Sequence, residues 1–256
     1  MDLGLKDKIA LVTGASRGIG NRIALSLARE GVKLGICARN EDGLKSAADE
    51  IIAGGAEVEA IAVDSTTSEG AEKVVAATRE RFGGLDILIN NVGGAVWTPF
   101  AEISDEEWLH VFNLSFFSSV RMARVALPIM EERGAGSIVN ISSIFGRETG
   151  GPISYNAAKA AMISMTSNLA LEAAKKNIRV NTVAPGSIIF PGGGWERRQK
   201  EDPEGIKAFV EENIAFGRFG TPEEVADVVT FLASERGSWV TGACINVDGG
   251  QSRSQI

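Results

Sequence analysis

The chain has a single tyrosine, Tyr155, and Lys159 follows it four positions on. On a helix that spacing puts both side chains on one face. A free phenol titrates near pH 10. A neighbouring ammonium favours the phenolate and brings that value toward neutrality, which suits a proton donor or acceptor. Alone, such a pair is as readily an exposed i, i+4 contact. Here Asn113, inside a helical pattern, and Ser142-Ser143, at the end of an apolar run, precede it. A second group is Thr13-Gly14-Ala15-Ser16-Arg17-Gly18-Ile19-Gly20, with the apolar run Lys8–Val12 before it and Ile19, Ile23, Leu27 and Ala28 at helical spacing after it. It reads as strand, glycine turn and helix. Glycines let a phosphate approach the backbone, and the helix start offers free N–H groups and a positive dipole end.

The elements that must carry these groups alternate. Strands are expected at Val32–Ala38, Val58–Val63, Leu85–Ile89, Gly136–Ile141, Ile178–Val183 and Ala243–Val247. Helices are expected over Glu41–Ala53, from a Ser68 cap to Phe82, from a Ser104 cap with Glu107 as capping box, over Ser154–Lys176, and from Pro222 behind Thr221. β-α alternation gives a doubly wound parallel sheet, an α/β Rossmann-like single domain, whose ligand crevice lies at the carboxyl ends of the strands. The glycine turn, Arg39, Asp64, Asn90–Gly94, Ser142-Ser143 and Pro185-Gly186 all follow strand ends and collect there. Gly186–Gly220 reads as one long irregular segment, a substrate lid.

Composition excludes other classes. A net charge of −7 and a pI near 5.0 argue against a nucleic-acid partner. No stretch is apolar enough to span a bilayer, and the first residues lack a signal-peptide pattern. Cys37 and Cys244 lie in apolar runs and read as buried, reduced residues of a cytoplasmic protein, with neither disulfide nor metal site. His110, the only histidine, has no G-x-S-x-G elbow to serve and reads as a partly exposed helix residue.

Gly14-x-x-x-Gly18-Ile19-Gly20, Asn90-Asn91-Val92-Gly93, Asn113, Ser143, Tyr155-x-x-x-Lys159 and Pro185-Gly186 occur in this order over nearly the whole chain. In that order they resemble the short-chain dehydrogenase/reductase family, with a look closest to bacterial 3-oxoacyl-acyl carrier protein reductases. The resemblance implies hydride transfer between a nicotinamide and a carbonyl or alcohol. It makes Tyr155 the general acid or base and Lys159 the group that holds the nicotinamide ribose and lowers the tyrosine pKa. It gives Ser143 the reacting oxygen, Asn113 a relay water, and Asp64 the adenine. Read alone, Asp64 is equally a loop carboxylate capping the next turn. The family's cofactor positions fall on Gly14, Ser16, Arg17, Gly18, Ile19, Gly20, Arg39, Asp64, Asn91, Gly93, Pro185, Gly186 and Ile188, besides Tyr155 and Lys159. The step from Ser143 to Tyr155 is one residue short of the family's. Ser142 restores that spacing but points off the other strand face, so Ser143 with a loop shortened at Gly150-Gly151 is preferred. The family's threonine after Pro185-Gly186 is missing from Ser187-Ile188-Ile189-Phe190, leaving backbone near Ile188 for that contact.

An NAD site of this architecture places a carboxylate after the second strand. Here Ala38 stands there, with Arg39 next and Arg17 in the glycine turn, so NADP is expected. Val92, Gly94, Trp97, Phe145, Pro191 and Trp195 could line an apolar pocket or simply pack. An acidic carrier would want a basic patch, for which Arg133, Lys175 and Lys176 are candidates, though such charges also serve as plain solvated surface. The resemblance implies reduction of a small-molecule or carrier-bound carbonyl, a 3-oxoacyl thioester or related ketone, to a secondary alcohol. A small ketone, sugar or secondary alcohol is the alternative, and a catalytically idle nucleotide sensor is the other class. The helix from Ser154 is apolar on more than one face, and the family is commonly tetrameric, so a homotetramer is expected.

Overall fold

The computed structural model describes residues 2–254. Strands β1 (Ile9–Thr13), β2 (Lys33–Ala38), β3 (Val58–Ala62), β4 (Ile87–Asn90), β5 (Gly136–Ile141), β6 (Ile178–Pro185) and β7 (Cys244–Val247) form one sheet in the order β3-β2-β1-β4-β5-β6-β7. Every neighbouring pair is parallel. A sheet covered on both faces needs apolar residues at every position, and β1 and β4 are buried throughout. On one face Val12, Ile36 and Ile89 meet Ile23 and Leu27 of α1 (Gly18–Arg29), Ile51 of α2 (Glu41–Ala53) and Val229 of α9 (Pro222–Ala233). On the other, Leu11, Leu88 and Ile138 meet Val74 of α3 (Ser68–Phe82), Met122 of α5 (Ser118–Arg133) and Ala170 of α6 (Ile153–Ala173). The chain winds outward from β1 to β3 and then returns to β4. The carboxyl ends of β1 and β4 therefore flank the switch point, where a crevice must open.

Three local expectations differ from the structure. Thr67, not Ser68, caps α3, its hydroxyl accepting from the Gly70 N–H at 3.0 Å. The helix behind Ser104 is divided into α4 (Asp105–Phe112), a π-turn at Asn113–Phe117, and α5. Gly186–Gly220 is not irregular but carries α7 (Gly194–Glu201) and α8 (Pro203–Asn213). α7 is held by the i, i+4 pairs Arg197–Glu201 and Lys200–Glu196, a polar helix whose lack of apolar period hid it. Asp202 caps α8 and Pro203 opens it. Cys37 is buried, whereas Cys244 is only half-buried, and both are free.

Candidate active site

Asn91 ties the ends of β1 and β4 together. Its backbone N–H donates to Thr13 Oγ1 at 2.9 Å, and its side-chain amide donates to the carbonyls of Thr13 and Gly14. Gly20 lets this happen, since a Cβ there would stand 2.5 Å from the Gly14 carbonyl oxygen and collide with the Asn91 amide. Gly18 opens α1 with φ +60°, and a Cβ would meet the Phe190 ring at 2.7 Å. The first turn of α1 has no side-chain cap and no acidic residue. Its free N–H groups and positive dipole end therefore remain available to an anion.

That helix start opens on a cleft of about 700 Å³ lined by Gly14, Ser16, Arg17, Ile19, Arg39, Asp64, Asn91, Gly93 and Tyr155. A smaller cavity of about 200 Å³ shares Ile19, Asn91, Gly93 and Tyr155 with it. That cavity adds Ser143, Lys159, Pro185, Gly186, Ile188 and Trp195. The residues fit a dinucleotide: an uncapped helix start for the pyrophosphate, a glycine floor, and an extended cleft leading to Tyr155. Gly18 lines a neighbouring depression, and Gly20 lies buried beneath the turn.

Lys159 is 2 % exposed, and its ammonium donates to the Ile141 carbonyl at 2.7 Å. Burial pushes its pKa down to about 7. Burial likewise pushes the Tyr155 phenol up to about 12, and the facing Ser143 hydroxyl offsets this only in part. The expected lowering of the tyrosine by the lysine is thus not found in the free protein, where the serine is the group that lowers it. The Lys159 nitrogen stands 5.7 Å from the centre of the phenol ring and points to the end of β5. The two serines separate as strand alternation requires. Ser142 Oγ donates to the Lys159 carbonyl, whereas Ser143 faces Tyr155 and accepts from the Phe145 N–H.

Other candidates are placed less simply. Asn113 does not line the cleft; its Oδ1 accepts from Arg121 at 2.8 Å. Asp64 lines the cleft and also accepts from the Thr66 N–H and hydroxyl. Desolvation pushes its carboxyl up, but the Thr66 bonds and the Arg39 charge together hold it below the usual range. Arg39 is exposed, and Arg17 donates to the Gly192 carbonyl at 3.1 Å. The three candidates for a basic patch do not face the cleft. Arg133 pairs with Asp86 and Lys176 with Glu131. With Lys175 they also lie before β5 and β6, at the opposite end of the sheet from the cleft.

Of the pocket candidates, Trp195 lines the smaller cavity and Val92 the larger cleft. Gly94 is bonded on both sides to Ser115 Oγ, and Phe145 packs on Gly150 and Gly151. Sequence reasoning missed Phe190, which lines both cavities, and Arg121 behind Asn113. It also missed Gln251, which accepts the Ser187 N–H at 2.7 Å beneath the cavity. The Ser187–Gln251 contact joins residues 64 positions apart, and no local pattern marks it.

A family profile described as enoyl-(acyl carrier protein) reductase matches residues 14–252. One relative is the 1,6-dihydroxycyclohexa-2,4-diene-1-carboxylate dehydrogenase of Acinetobacter baylyi, 39 % identical over 95 % of both chains. Another is the 3-oxoacyl-[acyl-carrier-protein] reductase of Thermotoga maritima, 35 % identical over 96 % of this chain and 98 % of that one. L-sorbose reductase from Gluconobacter frateurii, solved with NADPH and L-sorbose, superposes with a TM-score of 0.93 at 36 % identity, over 99 % of this chain and 100 % of the other. The chain belongs to the short-chain dehydrogenase/reductase family. It is a nicotinamide-dependent oxidoreductase.

Proposed function

We propose that the protein reduces a ketone to a secondary alcohol with NADPH, Tyr155 delivering the proton. The observation that carries this reading is the convergence of Tyr155, Ser143 and Lys159 on the wall of one cavity continuous with the long cleft. When bound, the nicotinamide supplies the hydride. Ser143 accepts from the Phe145 N–H and hydrogen-bonds the Tyr155 hydroxyl, so it stands where its proton can turn to the substrate oxygen. Tyr155 donates to that oxygen as charge develops there, and in the reverse direction it accepts the proton. Lys159 holds the ribose hydroxyls and stabilises the phenolate left behind. Asn113, set by Arg121, contributes to proton resupply. Gly14, Ser16, Gly18, Ile19, Gly20, Asn91 and Gly93 form the dinucleotide floor; Pro185, Gly186 and Ile188 form the nicotinamide end. Asp64 faces the adenine, and Arg39 with Arg17 takes the 2′-phosphate.

The pairing of Arg133 and Lys176 with carboxylates, away from the cleft, favours a small free carbonyl compound over a carrier-bound one. The stretch 186–220, with α7 and α8, acts as the substrate lid. Leu109 on α4, Phe117 on the π-turn, and Ile153 and Leu171 on α6 are exposed apolar residues, which supports a homotetramer built on these helices. No helix among the described residues is long and apolar enough to cross a membrane, and a cytoplasmic location suits the two free cysteines. NADPH oxidation over a panel of cyclic ketones, ketoses, 3-oxoacyl thioesters and enoyl thioesters tests the reaction. Turnover of no ketone would leave a nucleotide sensor, and exclusive turnover of enoyl thioesters would replace carbonyl by double-bond reduction. Light scattering at micromolar concentration tests the tetramer, and a monomeric mass would refute it.

A further inference from the structure

Among the described residues, Arg198 is the basic side chain of α7 with no carboxylate partner. The other basic residues of α7 have carboxylate partners, Arg197 with Glu201 and Lys200 with Glu196. Arg198 has neither a carboxylate nor a hydrogen-bond acceptor among the described residues. What holds it is aromatic. Its guanidinium carbon lies 4.7 Å from the ring centre of Trp97, on the loop after β4, and 5.1 Å from that of Trp195, one turn back on α7. Trp195 is itself fixed from behind, stacked on Phe209 at 4.8 Å, and it lines the cavity that holds Tyr155 and Ser143. Arg198 as a whole residue is half-buried, and its guanidinium lies one ring removed from the catalytic cavity.

Aromatic rings attract a guanidinium through its plane and do not use its N–H donors. A half-buried arginine would ordinarily satisfy that fork of donors with carboxylate or carbonyl oxygens. Here the fork is clamped in orientation and left without a protein acceptor. Resting on the carbonyl-reductase reading above, we propose that Arg198 is a specificity-determining residue that binds a carboxylate on the substrate. The preferred substrate class is then a small oxo acid. Trp97 and Trp195 pre-set the guanidinium, and its N–H pair grips the carboxylate while the ketone reaches Tyr155 and Ser143.

The test uses 3-oxocyclohexanecarboxylate and its methyl ester, with the NADP-loaded parent, Arg198→Met and Arg198→Lys. Methionine keeps the apolar stem between the rings, and lysine keeps charge without the fork. The expected result is a fall of about ten- to a hundredfold in kcat/KM for the acid in Arg198→Met, with the ester unchanged. Arg198→Lys should recover only part of the loss. Tryptophan fluorescence reads binding separately, because two of the indoles flank the guanidinium. If the parent reduces neither compound yet binds the acid, and Arg198→Met does not, the carboxylate site stands and the carbonyl reading falls. Equal handling of acid and ester by the parent, in turnover and in fluorescence, overturns the proposal. So does an unchanged acid-to-ester preference in Arg198→Met.

Discussion

The Lys159 ammonium points at the Ile141 carbonyl, 2.7 Å away at the end of β5. Held there and shut off from water, the amine titrates near 7 instead of 10.5. Between those values the unfolded chain binds a proton that the folded protein lacks. Stability therefore rises with pH across that window, by at most about 1.4 kcal/mol per unit, and this contribution is flat below the folded pKa. Tyr155 acts higher up: its raised pKa stabilises below 10 and that stability is lost as pH rises toward 12. Lys159→Met should remove the lysine slope. Denaturant melts of both cofactor-free proteins from pH 6 to 9 check this, and parallel stability curves would show that the amine is not shielded as described.

Tyr155→Phe keeps the ring and the packing on α6 but removes the hydroxyl proton. General acids of this kind contribute about 10²–10⁴-fold, so kcat should fall by at least that range while cofactor affinity changes little. Ser143→Ala should fall on the same axis with a smaller loss, because its proton only supports the reacting oxygen. Activity of Tyr155→Phe within a few-fold of the parent would remove the phenol from the reaction.

Much of the architecture was legible because α/β folds write each layer locally. β5 and α2 fall on the expected residues, and the loops carrying Asn91, Ser143 and Gly186 gather at one edge of the sheet. Helix α7 was hidden because charge pairs rather than an apolar stripe hold it. The protonation of Tyr155 and Lys159 was misjudged for a different reason. Spacing shows that two groups are near each other, but not how far each is shielded from water, and here desolvation is the largest cause of both shifts. The Trp97–Arg198–Trp195 contact joins the loop after β4 to α7, two segments that no sequence pattern connects.

Gly18→Ala separates two effects at the glycine turn. A left-handed φ of +60° costs an alanine about 1–2 kcal/mol, and the new methyl also meets the Phe190 ring at 2.7 Å. The single variant should lose stability and bind NADPH more weakly. Adding Phe190→Ala should relieve the overlap but not the backbone strain, recovering part of the loss once the cost of Phe190→Ala alone is subtracted. Full additivity in the double-mutant cycle would show that Phe190 does not press on this turn.

We propose that the cofactor preference rests on three positions at the cleft that do different things. Ala38 ends β2 with no carboxylate to hold a ribose 2′-hydroxyl, and exposed Arg39 follows it at the rim of the cleft. Arg17 lines the same rim but is already bonded to the Gly192 carbonyl of the lid. Charge-assisted bonds are worth about 1.5–3 kcal/mol, so losing one weakens binding about ten- to a hundredfold. Arg39→Ala should therefore weaken NADPH by that range and leave NADH nearly unchanged. Arg17→Ala should weaken both cofactors, and NADPH more, because the lid contact is lost along with a phosphate donor. Ala38→Asp should repel the phosphate and accept the NADH hydroxyl, inverting the preference. The measurement is kcat/KM for NADPH and NADH in all four proteins at one salt concentration, since exposed charges are screened. Equal use of both cofactors by the parent, or equal losses for both in Arg39→Ala, would show that Arg39 does not read the phosphate.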